Sequence, residues 1–212
     1  KSVCYLVSAL FVKICYGEIM KKLVLYVLFV LMWSNVVFAN DIKDFEIEGM
    51  SIETSLLNFF KEEKIISSKR NYNYSQSGFY AVGFDKEDFF ETYDTLEIHL
   101  KTYDKSYKIY SIDGLIFYKK NINDCHKKQD QLEIELSKMF KNAEKKFGNY
   151  KLNGDKSGKS TTRAYYWYLE NKDTVTLECY DWSKEIEDSS DWADNLRVSF
   201  IKKELYDWFS NE

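Results

Sequence analysis

Thr95-Leu96-Glu97-Ile98-His99-Leu100-Lys101-Thr102 decides the fold class, because Leu96, Ile98 and Leu100 fall on one side of an extended chain and Glu97, His99 and Lys101 on the other. A period of two marks a β-strand with one face on a core and one face wet. Working outward, Phe79 to Phe84 reads as a strand upstream, and Tyr107 to Ile112 alternates downstream. Asp113 and Gly114 then mark a turn or bulge before Leu115 to Tyr118. Together these stretches predict an antiparallel meander.

Helical periodicity flanks the meander. Ser51 is placed to cap a helix over 52 to about 64, with Glu53 in its first turn and Ile52, Leu56, Phe59 and Phe60 at helical spacing. Polar residues from Ser67 to Gly78 form a loop. After the meander, Cys125, Leu132, Leu136, Met139, Phe140, Ala143 and Phe147 define one long helical stripe, started by Asn123 or Asp124 and ended at Gly148. Three more strands follow at Arg163 to Glu170, Thr174 to Trp182 and Asn195 to Lys203, and Leu205, Trp208 and Phe209 suit a short closing helix. The expected architecture is α+β, with an antiparallel sheet of about six strands in helix, three strands, helix, three strands order and the helices packed on one face.

Ile47-Glu48-Gly49-Met50-Ser51-Ile52 leading into a helix, and Lys146-Phe147-Gly148 leaving one, resemble segments of small exported bacterial proteins of unknown function. The layout is similar to the tandem helix-plus-meander units of the SmpA/OmlA and beta-lactamase-inhibitor-protein superfamily. The resemblance implies fold rather than function, and no inhibitory or assembly-factor residue carries across.

The N-terminal stretch bears on compartment. Lys21 and Lys22 precede an unbroken apolar run from Leu23 to Trp33, and Ser34 to Ala39 is a short tail with small side chains at Val37 and Ala39. This order matches a secretory signal over 20–39, cut between Ala39 and Asn40. The run is shorter than the roughly 20 residues a membrane-spanning helix needs, so no permanent anchor is expected after cleavage. Residues 1–19 read as an upstream extension ahead of Met20, and 40–212 as a single exported domain in a periplasmic or extracellular space.

Removing Lys1, Lys13, Lys21, Lys22 and Glu18 from the 30 basic and 34 acidic residues leaves 26 against 33, a net charge of −7. Such an acidic domain is not a nucleic-acid binder by charge. Cys125 and Cys179 are the only thiols left in it, both on apolar faces. In an oxidising compartment they are either bridged, which would add roughly 4 kcal/mol by loop closure, or two buried free thiols.

Other candidate chemistry finds little support. A zinc site would need His99 and His126 together with the cysteines or with carboxylates. Gly154 to Thr161 looks like a phosphate-binding loop, but its glycines enclose three residues instead of four and it runs into a strand. The acids between Asp181 and Asp194 lack the spacing of a calcium loop, and Asp85, Glu87, Asp88 and Glu91 suit the first turn of a short helix. No catalytic residue, metal ligand or cofactor is nominated. Tyr166, Tyr168 and Trp182 share the phase of an outer sheet face and form the candidate binding surface, unless they are a second hydrophobic layer. The leading expectation is a non-enzymatic exported domain binding a protein or envelope component; a small secreted hydrolase and a structural envelope protein are the alternatives. A pocket holding polar groups with perturbed pKa values would favour the hydrolase, a flat aromatic patch the binding module.

Overall fold

In the computed structural model Leu96, Ile98 and Leu100 are fully buried, as their alternation requires. The structure describes residues 41–72, 74, 77–119, 121–190 and 192–210, with the backbone of Val3–Tyr5 and Ile14–Tyr16, which pair antiparallel as a separate unit. The signal segment 20–39 and the cut at Ala39 and Asn40 lie outside the described residues. Among those described, no helix is long and apolar enough to cross a membrane.

One antiparallel sheet holds seven strands: β1 (Phe79–Asp85), β2 (Thr95–Lys101), β3 (Ile109–Phe117), β4 (Glu144–Lys151), β5 (Thr161–Tyr168), β6 (Thr174–Asp181) and β7 (Asn195–Ile201). Their spatial order is β1-β2-β3-β7-β6-β5-β4. The helices are α1 (Glu62–Ser67), α2 (Ile122–Met139), α3 (Lys184–Ser189) and α4 (Lys203–Phe209). The class is α+β, as expected, but the count is seven strands and not six, for a specific reason. Glu144–Lys151, read as the end of the long helix and its exit, is an edge strand paired with β5, Gly148 opposite Ala164. The helix stops at Met139, where Phe140 turns out of helical conformation and buries its ring against Phe45, centroids 4.8 Å apart.

The first predicted helix also changes. Glu53 donates its amide to the Ile109 carbonyl and Leu56 to that of Tyr107, both at 2.9 Å, so residues 53–56 bond to the start of β3 instead of to one another. Only a single 3₁₀ turn at Leu56–Asn58 and the short α1 survive. The preceding Ile47 and Met50 form a tight turn with positive φ at both Glu48 (50°) and Gly49 (76°), the signature of a primed turn. The stretches that carry the family resemblance therefore form a turn and a strand.

Asp113 and Gly114 make no turn; β3 runs straight through them. The irregularity lies opposite His99 and Leu100, where the pairing skips from Ser111 to Ile109 and leaves Tyr110 as the extra residue. Nor does a helix follow Asp85. The carboxylate of Glu48 occupies that turn instead, accepting from the amides of Glu91, Thr92 and Tyr93 at 2.7–2.8 Å.

One sheet face is closed. Residues 42–65 bury Ile42, Ile47, Met50, Leu56 and Ile65 there, and α2 adds Cys125, Leu136 and the capping Phe140. Cys125 on α2 and Cys179 on β6 are disulfide-bonded, with Cα atoms 6.1 Å apart. The helices do not all lie on this face: α4 packs Leu205 against Phe79 and Tyr110, and Phe209 stands 5.1 Å from the His99 ring on the other side.

Candidate functional site

The second sheet face is polar, and pairing register explains why its polar groups meet. On β2, Glu97 and His99 point away from the buried leucines. The register of β3 sets Asp113 beside Glu97 and Ser111 beside His99. β7 then sets Ser199 beside Asp113, and β6 sets Glu178 beside Arg197 and Thr176 beside Ser199. Four central strands thus pave a cleft of about 1010 Å³. At its edge Gly83 allows a close approach: a Cβ there would lie 1.9 Å from Nε of Arg70, whose guanidinium crosses the strand to reach Asp85 at 3.3 Å.

The floor is buried yet charged. Glu97, His99, Ser111, Asp113 and Ser199 are all buried, whereas the Arg197 side chain keeps 27 % of its surface open to the cleft. Arg197 lies 3.9 Å from Glu97. Burial opposes the Arg197 charge, but Glu97, Tyr180, Asp113 and Glu178 outweigh it and hold the guanidinium ionised. Burial pushes the Asp113 carboxyl up to about 7 even though Arg197 pulls the other way. Burial likewise drives His99 down to about 4, so its ring is neutral at neutral pH. That ring is held at both nitrogens, Nδ1 2.9 Å from the Ser111 hydroxyl and Nε2 2.9 Å from the Tyr74 hydroxyl. Tyr72 donates its hydroxyl to Glu97. Glu178 accepts from Tyr166 at 3.1 Å, Thr176 at 3.2 Å and Tyr180 at 3.3 Å.

Aromatic rings form one rim. Trp182 packs on Trp192 with centroids 4.6 Å apart and stacks on Tyr180 at 5.7 Å. The predicted strip Tyr166, Tyr168 and Trp182 is on this face, but in two parts. Tyr166 and Tyr168 stack on each other at 6.2 Å along β5, outside the cleft, whereas Trp182 belongs to its rim.

The other sequence candidates resolve as follows. Both cysteines are consumed by the disulfide, so no His99, His126 and cysteine set is assembled. A different trio, Glu97, His99 and Asp113, places donor atoms within 4.8 Å of one another, the spacing of a metal site. A metal there would have to displace Tyr74 or Ser111 from His99 and tolerate the neighbouring Arg197 charge, so the trio fits a metal poorly. In the Gly154 to Thr161 loop, Asp155 accepts from the amides and hydroxyls of Ser157 and Ser160 at 2.7–2.9 Å. Those bonds hold its carboxyl below the usual range and turn the loop on itself. The acids after β6 are dispersed: Glu185 pairs with Lys159, Asp188 with Lys184, and Asp194 accepts from the Trp182 amide at 2.8 Å.

The sequence names none of Glu97, Asp113, Glu178 and Arg197 as a site residue, and His99 only as a zinc candidate on the polar face of its strand. The available signal was polar residues recurring at every second position in β2, β3, β6 and β7, with an arginine in the middle of β7. Compared with known protein families, curated proteins and solved structures, the chain matches none of them.

Proposed function

We propose that this protein is an exported binding module that takes a small polar ligand into the cleft on the polar face of its sheet. The observation that carries this reading is the floor itself: buried ionisable groups held in place before any ligand arrives, beneath an aromatic rim. Concave, partly apolar sites with a few fixed polar groups are where small molecules bind, and a flat protein partner would not reach this floor. Export is supported by the order of the 20–39 segment and by the Cys125–Cys179 disulfide, a bond that persists in oxidising compartments. Sequencing the N-terminus of exported protein should return Asn40; material retaining Met20 defeats that part.

The ligand reading is tested by melting the protein against a panel of polar metabolites. A true ligand at about one hundred times its Kd adds ~2.7 kcal/mol and raises the melting temperature by several degrees. The shift should shrink in Trp192→Ala, which removes an exposed rim ring. No shift with any compound, or equal shifts in the variant, sinks the reading.

One observation favours a second reading, a small hydrolase. Asp113, held near 7 beside Glu97, is placed to work as an acid at neutral pH. Turnover of chromogenic esters or glycosides that vanishes in Asp113→Asn supports it, and a wild-type protein inert on all of them rejects it.

A further inference from the structure

We infer that the cleft selects a small organic cation, an ammonium ion on an alkyl or aryl body, over neutral and anionic molecules of the same size. This deepens the binding reading above and rests on it. Charge is the first argument. Arg70 and Asp85 at the cleft edge satisfy each other at 3.3 Å. That leaves Glu97, Asp113 and Glu178 facing the guanidinium of Arg197, with no lysine among the described lining residues. His99 adds nothing, since both of its nitrogens are held by neutral hydroxyls. The cleft therefore carries more carboxyl groups than it has cations to pair with them. Buried carboxylates in excess either take up protons or take up a cation.

The lining shape is the second argument. Tyr180, Trp182 and Trp192 form one aromatic cluster lining the cleft, and Tyr72, Tyr74 and Phe209 a second, in which Tyr72 and Tyr74 meet Glu97 and His99 through their hydroxyls. Aromatic faces attract cations, and this site already shows it in the Arg197 guanidinium carbon 5.4 Å from the Tyr180 ring centroid. Asn195, 6 % exposed, lines the same cleft, and its Oδ1 has no hydrogen-bond partner among the described residues, one more acceptor without a donor. A neutral sugar would use the acceptors but leave the charge excess in place. A bare metal ion would use the carboxylates but not the rings. An organic ammonium ion uses both.

Calorimetric titration of the mature protein with matched probes tests the inference: benzylamine against benzyl alcohol, choline against its uncharged carbon isostere, with maltotriose and zinc chloride as further arms. At least one cation should bind at least ~10-fold more tightly than its neutral twin, and more weakly as salt is raised. Glu178→Gln should weaken it about 10- to 100-fold. Glu97→Gln is the second variant if the first does not fold. Equal affinity for charged and neutral twins, tighter binding of maltotriose or zinc, or amine binding unchanged in the folded variant each overturn the inference while leaving a cleft ligand in place. If none of the probes binds, the cation inference falls; if the metabolite panel is silent as well, the binding reading falls with it.

Discussion

Asp113→Asn should reshape the pH dependence of stability, in a direction set by two neighbours on the cleft floor. The Asp113 carboxyl sits at about 7 in the folded protein against an ordinary 3.8, because burial disfavours its charge. Between those values the folded state holds a proton that the unfolded chain releases, so this group lowers stability as pH rises, by ~1.4 kcal/mol per pH unit at most and by up to ~4 kcal/mol in total. His99 works the other way. Its pKa falls to about 4 from 6.5, so the unfolded chain binds a proton that the folded state refuses, and stability rises with pH across that interval, by up to ~3 kcal/mol. From about pH 4.5 to 6 the two slopes oppose each other, and only above that does the Asp113 loss run alone. The charges facing Asp113 are those of Arg197, Glu97 and Glu178. Urea unfolding of wild type and Asp113→Asn at about pH 5, 6 and 8 tests this, because the difference between them cancels every other titrating group. The variant should gain on wild type by ~1 kcal/mol from pH 5 to 6, and by a few kcal/mol by pH 8. A difference that stays constant, or that shrinks as pH rises, refutes the burial argument for the cleft floor.

Reducing the Cys125–Cys179 bridge reopens a 54-residue separation and should cost ~4 kcal/mol on the chain-entropy model, lowering the melting temperature by about 8–16 °C in thermal unfolding with and without reductant. The Cys125→Ala, Cys179→Ala double variant should not respond to reductant at all; a response there refutes the assignment. Gly114→Ala should destabilise by about 1–3 kcal/mol, since its Cβ would meet the Tyr93 ring at 2.5 Å, and an unchanged urea midpoint contradicts that contact. Glu48→Gln should cost about 1–2 kcal/mol by weakening three amide bonds. Burial works against the Glu48 charge, but those amides win and hold its pKa low, so the loss relative to wild type should be full at neutral pH and fade as acid protonates the carboxylate. A loss that persists unchanged in acid refutes the assignment.

What the sequence disclosed about fold follows from which residues have one buried face. β2, β6 and β7 alternate because one side meets the core and the other the cleft, and all three were legible. β4 was not: Glu144, Lys145, Lys146, Phe147, Tyr150 and Lys151 are exposed, so no buried face imposed a period, and Phe147 extended the helical stripe by coincidence. The first helix was misread because main-chain bonds from residues 53–56 go to β3, a long-range demand that local spacing does not contain. The cleft was half visible. Trp182 lies on its rim, with Tyr166 and Tyr168 beside it on the same face, but Asp113 was hidden by the turn signal of the following glycine.

The place of β7 in the sheet has a consequence in time. Of the seven strands of this sheet it is the last in chain order and the middle one in space, joining β3 on one side to β6 on the other. Until residues 195–201 exist, the earlier strands are two unjoined hairpin sheets, and neither can be completed by waiting longer. Such long-range closure is slow, because distant segments must meet before the meeting is rewarded. A chain interrupted before residue 195 therefore carries two sheet edges, β3 and β6, with no strand between them to pair both.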